Sequence, residues 1–375
     1  MSNTRQRDFR LDFCRGLALI IIFIDHVPNN PLSNFTLRNF SFCDAAEIFV
    51  LISGMASYLA YGSRFDQHGF LHCAKAIGKR WIRVYFAHLI LFATVAGFVL
   101  LASHYFYGAD YVGSLKLDWL VREPQKAAAS ALTLTYLPRL LDILPLYLVL
   151  LGVAPLFILM VKRDYRVALT VSGALYLATW MSGWNLHAGE GRDWYFDPFA
   201  WQFLYVLGMA VCHLSRNAAG RPRWDKLWLS AAVGFLAFAL FIGWLANGVG
   251  ITHAAPVSYV WPADKTFLSP LRVINVIALL YVFGYFVSPQ APWLKTWLAG
   301  LFRACGRHSL SVYGFGVVLS CAGYVVMSES QANPLASVIV NSSGIAVTIL
   351  LALALDWRKG KVVTAASAAP IKAAV

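Results

Sequence analysis

Apolar stretches near the length of a bilayer crossing recur along the whole chain, and this recurrence limits the fold more than any other feature. A helix needs about 20 residues to cross the hydrocarbon core. Runs close to that length lie at about 11–28, 44–62, 82–103, 143–161, 167–181, 199–213, 227–246, 271–287, 309–327 and 336–355. Lipid offers no partner to backbone N–H and C=O groups, so such runs must be helical. The expected fold is therefore all-α: a polytopic membrane helical bundle of about ten transmembrane helices. The stretch Trp293 to Phe302 reads as an interfacial amphipathic piece instead. Only 13% of the 375 residues are charged, and a soluble domain of this size would need far more.

The formal net charge of +13 follows from topology. Ten crossings return both termini to one side, and most of the 31 lysines and arginines fall on that side. The opposite side holds Arg38, Lys116, Arg122, Lys126, Arg139, Arg192, Lys265 and Arg272. The positive-inside rule then makes both termini cytoplasmic. No basic stripe with interleaved aromatics points to nucleic acid. The six cysteines show no CxxC or Cys/His spacing, so neither a metal nor a disulfide framework is expected. The chain reads as one integral-membrane domain over 1–375, with 361–375 as a flexible cytoplasmic tail. Long outer loops at about 28–43, 103–142, 182–198 and 247–270 are rich in Asn, His, Trp, Gly and Pro.

Ionisable groups in the first two spans need a reason, because each costs several kcal/mol in lipid unless it faces protein or water. Asp12, Arg15, Asp25 and His26 lie in or at the edge of the first. Arg15 and His26 are eleven residues apart, about 16 Å of rise and about 1100° of rotation, so they share one face. Asp12, three residues before Arg15, is placed to pair with its guanidinium; the plainer reading is an ion pair that anchors the helix. The second span opens with Asp44 and Glu47, close in depth to His26. Asp44 suits a helix N-terminus, and Glu47, lying deeper, is the better candidate to fix the His26 tautomer. Asp25 adjoins His26 but points some 100° away, so ring orientation falls to another helix.

Further on, Arg139 and Asp142 precede the fourth span, and Arg192, Trp201 and Gln202 belong to a polar, aromatic cluster at the start of the sixth. Such a cluster suits a sugar hydroxyl or a carboxylate, with solvated loop charge as the alternative. Arg307 and His308 stand at the cytoplasmic start of the ninth span, placed for phosphate or simply obeying the charge rule.

The runs RLDFCRGLALIIIFIDHVPNN, FCDAAEIFVLISGMA, ILPLYLVLLGVAP, YFDPFAWQFLYVLGMA and CGRHSLSVYGFG together resemble the OpgC family, succinyltransferases of osmoregulated periplasmic glucans, within the wider acyltransferase-3 group. Arg15 and His26 match that group's Arg-x10-His signature. The resemblance implies a bacterial inner-membrane enzyme that moves a succinyl or other short acyl group from cytoplasmic acyl-CoA to a periplasmic glucan hydroxyl. It makes His26 the essential histidine and Arg15 its companion. Acyl-CoA would be a co-substrate, with no tightly bound cofactor. The competing class is a transporter or flippase for a polar solute or lipid-linked sugar, which would explain the same intramembrane charges.

Overall fold

The computed structural model describes residues 8–217, 225–247 and 264–367, and among these it is helical with no strand. Six helices are long and apolar enough to cross a membrane. They are α2 (Ala45–Tyr105), α6 (Ile143–Ser182), α7 (Pro198–Asn217), α8 (Lys226–Asn247), α11 (Ser309–Glu329) and α12 (Pro334–Ser367). The shorter α1 (Phe9–His26) and α9 (Pro270–Phe286) complete the apolar set. Three short helices, α3 (Tyr111–Ser114), α4 (Asp118–Arg122) and α5 (Pro124–Leu132), fill the connection between α2 and α6.

Two of these helices are too long for one crossing. The 61 residues of α2 would reach about 90 Å, three times the hydrocarbon core. The helix breaks at Gly69, whose φ of 77° and ψ of −177° lie outside helical space. Its two rods match the predicted runs at 44–62 and 82–103. The 40 residues of α6 break in the same way at Asp164 (φ −155°, ψ 112°), between the runs predicted at 143–161 and 167–181.

The predicted interfacial piece is present as a short turn, Pro292–Lys295, followed by α10 (Trp297–Arg307). It clamps the first half of α1. Phe13 stacks edge-on against Trp293 and Phe302, and Arg303 lies over the Phe9 ring at 4.4 Å. The two helices touch backbone to backbone: a Cβ at Gly16 would collide with the Phe302 carbonyl, and one at Gly306 with the Asp12 carbonyl. A second such crossing joins α2 and α7, with Gly54 against the Tyr205 carbonyl and Gly208 against Leu51. Where apolar side chains have lipid as an equally good solvent, close approach of this kind is what holds helices together.

The helix α12 runs on to Ser367. The remainder, 368–375, lies outside the described residues, as do Arg5, Arg7, Arg221, Arg223, Lys372 and most of the predicted 247–270 loop.

The Gly–carbonyl contacts are testable. Gly306→Val should separate α10 from α1 and lower the thermal midpoint of the purified protein, as overpacking costs about 1–3 kcal/mol. Gly316→Ala, where a Cβ meets open space, should leave it unchanged. Equal midpoints for both variants would contradict the packing described here.

Candidate functional site

His26 is the last residue of α1, because Pro28 cannot continue the helix and Val27 before it is already extended (φ −84°, ψ 114°). The end of α1 is tied to α12 through Asn30, whose amide donates to the Ile24 carbonyl (3.0 Å) and to Asn341 (2.9 Å). The His26 ring folds back one turn, with Nδ1 2.5 Å from the Ile22 carbonyl. A carbonyl only accepts, so Nδ1 carries the proton and Nε2 keeps its lone pair.

Two voids meet at this ring. One is a polar cavity of about 1120 Å³, walled by the loop after α1, the start of α2, the 108–116 segment, Arg139 to Ile143, Arg192 to Phe196, and the end of α11. The other is a narrow cleft of about 20 Å³ between α1 and α11, room for roughly one water. Leu19, Ile22, Phe23, Val312, Gly316 and Val317 supply its apolar walls, and His26, Tyr313 and Ser320 its polar edge. Ile22, His26, Leu140 and Tyr313 line both voids, so the imidazole stands at their junction.

The stripe read from the sequence is realised in part. Leu19, Ile22 and His26 follow Arg15 at helical spacing, and all three line the cleft. Arg15 itself lies one turn below and reaches the Ile52 carbonyl of α2 at 3.4 Å, without lining either void. Asp12 is buried where its backbone meets α10, and its charge acts on Arg307.

Glu47 also differs from expectation. It completes a capping box, accepting from the Asp44 N–H at 2.8 Å, while Asp44 accepts from Ala46 N–H at 2.8 Å. Its other oxygen accepts from Arg272 of α9 at 2.5 Å, with both side chains fully buried. The Ile22 carbonyl, not Glu47, therefore fixes the His26 tautomer. Asp44 pairs with Lys265 at 2.5 Å and lines the cavity.

Asp25 accepts from the Thr36 hydroxyl at 2.6 Å and faces Arg38 at 3.4 Å, which pins the 31–40 loop against α1. Arg139, Asp142 and Arg192 all line the cavity, and Arg192 pairs with Glu190 at 2.7 Å. Burial pushes the Asp142 carboxyl up to about 7, against the opposing pull of Lys116 and Lys265. Trp201 and Gln202 do not reach the cavity. Trp201 is buried with its indole N–H on the Lys265 carbonyl (3.0 Å), and Gln202 bonds Ser172 of α6. Their aromatic place on the wall is taken by Tyr195 and Phe196. Arg307 and His308 lie elsewhere, both donating to Asp356 of α12.

Sequence reading missed Lys116, Lys265, Arg272 and Tyr313. Only Arg272 gave a signal, as a charge inside an apolar run just after Pro270. Among the described residues no cluster could hold a metal ion.

The family model described as OpgC protein matches residues 7–360. The chain belongs to the OpgC family. No curated protein and no solved structure matches it. Membership points to succinylation of osmoregulated periplasmic glucans and to an enzyme of the succinyltransferase type. In this family member Arg15 and His26 sit toward opposite ends of α1, and Leu19 and Ile22 between them line the cleft.

Two outcomes follow. Arg272→Leu strands the Glu47 carboxylate in the interior and should cost about 3–5 kcal/mol, whereas joint replacement with Glu47→Leu should recover most of the loss. A thermal-melt comparison of the three proteins checks this. For Asp142, a folded value near 7 against an ordinary 3.8 means that the folded state binds more protons in between, so stability falls as pH rises from about 4 to about 7. Asp142→Asn should therefore melt above wild type at pH 8, the gap closing toward pH 4. A gap that widens in acid would contradict the burial described.

Proposed function

We propose that this chain is an inner-membrane O-acyltransferase with ten crossings and both termini cytoplasmic. It moves a succinyl group from succinyl-CoA, or another short acyl group from its CoA thioester, to hydroxyls of periplasmic glucans. Ten crossings are supported by α1, the two rods each of α2 and α6, then α7, α8, α9, α11 and α12. The bias of lysine and arginine supports the orientation, with the large cavity facing the periplasm.

The observation that carries the reading is the position of His26. Its Nε2 lone pair stands where a roomy polar cavity, fit for a sugar, meets an apolar cleft that leads toward the cytoplasmic side. A sugar hydroxyl is a poor nucleophile until a base takes its proton, and imidazole does so near neutral pH. In the proposed step the hydroxyl oxygen attacks the thioester carbonyl carbon while Nε2 removes the hydroxyl proton. Collapse of the tetrahedral intermediate breaks the C–S bond, and the departing thiolate recovers that proton to leave as free CoA. The Nδ1–H donated to the Ile22 carbonyl holds the ring in place and stabilises the imidazolium between the two transfers.

Arg15 lies about 16 Å below His26 along the helix, a separation comparable with a pantetheine arm. Its guanidinium would hold the donor by charge-assisted hydrogen bonds. At one water's width the cleft does not admit the arm, so α1 and α11 must part as the donor enters.

The test is transfer of labelled succinyl and acetyl groups from their CoA thioesters to a glucan acceptor by the purified protein. His26→Ala should lower the rate by at least about 100-fold. Absence of transfer from either donor by wild type overturns the enzyme reading, and an undiminished His26→Ala overturns the assigned base. Entry of labelled glucan into proteoliposomes without ester formation would favour the transporter class instead.

A further inference from the structure

The outer cavity is lined by five cations, Arg38, Lys116, Arg139, Arg192 and Lys265. Three are matched by carboxylates, namely Arg38 by Asp25, Arg192 by Glu190 and Lys265 by Asp44. Lys116 and Arg139 have no ion-pair partner among the described residues, although both face the cavity. Both side chains are exposed, and a cation that lines a cavity without a close counter-ion is a ready place for an anion.

The backbone around these two residues is built with care. Lys116 has φ +57° and Leu140, next to Arg139, has φ +75°, left-handed conformations that residues with a Cβ adopt only under constraint. Each is pinned by a tyrosine hydroxyl. Tyr136 donates to the Lys116 carbonyl at 2.9 Å, and Tyr313 of α11 donates to the Leu140 carbonyl at 3.0 Å. The Arg139 N–H donates to the Leu115 carbonyl at 3.0 Å, so the two segments run side by side. Leu140 also lines the cleft beside His26, which brings this wall to the reacting centre.

We propose that Lys116 and Arg139 form a carboxylate clamp that selects an anionic group on a molecule bound next to His26. The proposal rests on the acyl-transfer reading above. Arginine supplies a planar fork for two carboxylate oxygens, and lysine adds a point charge at the same site. Asp142 lies within the field of both cations. Burial disfavours its charged form, so it neutralises them less than an ordinary carboxylate would. The carboxylate has two sources. It is either the free end of a succinyl group on the donor or an acidic substituent already on the glucan.

Lys116→Met and Arg139→Gln keep the length of the stems and remove the charge. Wild type and variants are compared with succinyl-CoA and with butyryl-CoA, which has the same chain length without the carboxylate. Each donor is paired with a neutral glucan and with a glucan already bearing succinyl groups. Loss of a charge-assisted contact should lower kcat/KM by about 10- to 100-fold. If the loss follows succinyl-CoA on the neutral glucan and spares butyryl-CoA, the clamp reads the donor. If it follows the succinylated acceptor with either donor, the clamp reads the acceptor.

Arg139→Lys, which keeps the charge without the fork, should retain an intermediate preference. Where a variant turns over too slowly, the extra melting stabilisation that succinyl-CoA gives over butyryl-CoA is read instead. A fall shared equally by all four combinations, or no fall, overturns the clamp while leaving acyl transfer intact. Wild type that moves neither acyl group onto either acceptor overturns the acyl-transfer reading, and the clamp with it.

Discussion

The buried pair of Glu47 and Arg272 is the interaction on which the cavity end of the bundle depends. Two charges with no exposed surface survive there only because each satisfies the other, and their removal from water is costly enough that neither could stand alone. The pair ties the first turn of α2 to α9, and Asp44 with Lys265 repeats the tie one turn nearer the surface. Together they hold the start of α2 against the cavity, where Asp44, Ala45 and Ala46 form part of the wall. The carboxylates that the sequence places near His26 thus act through architecture: they build the chamber in which the imidazole works.

A similar economy governs the histidine. In many sites a second side chain orients the ring, whereas here the helix does so with its own Ile22 carbonyl, one turn before His26. Termination of α1 at Pro28 is therefore a chemical feature as much as a topological one. It leaves the ring at the helix end beside the cavity, where the carbonyl one turn back fixes which nitrogen stays basic.

Much of the fold was legible because lipid enforces a simple code of apolar length. That code located the two rods of α2, the two of α6 and the interfacial α10 within a few residues. The polar stripe of α1 was legible for the same reason, since helical geometry alone puts Arg15, Leu19, Ile22 and His26 on one face. Pairings between helices were not. Spacing within α1 says nothing of the backbone contact at Gly16 and Gly306 that sets α10 against Asp12, nor of the Ile52 carbonyl of α2 that Arg15 reaches. Glu47 found Arg272, some 225 positions away, a contact that no local pattern encodes. Trp201 and Gln202 belonged to a run that looked suited to sugar, but the turn of α7 directs them into packing and leaves the wall to Tyr195 and Phe196. Lys116 was hidden because its importance lies in a left-handed backbone and a tyrosine hydroxyl, neither visible in composition.

The narrowness of the passage between α1 and α11 has a bioenergetic meaning. A catalyst that joins two compartments through a permanent bore would short-circuit the proton-motive force of the membrane that houses it. A gap with room for about one water, walled mainly by leucine, isoleucine, phenylalanine and valine, is too narrow for a hydrated ion to pass. On the acyl-transfer reading proposed above, such a barrier would open only as the acyl carrier occupies it, and the cell would keep its voltage while a chemical group changes sides.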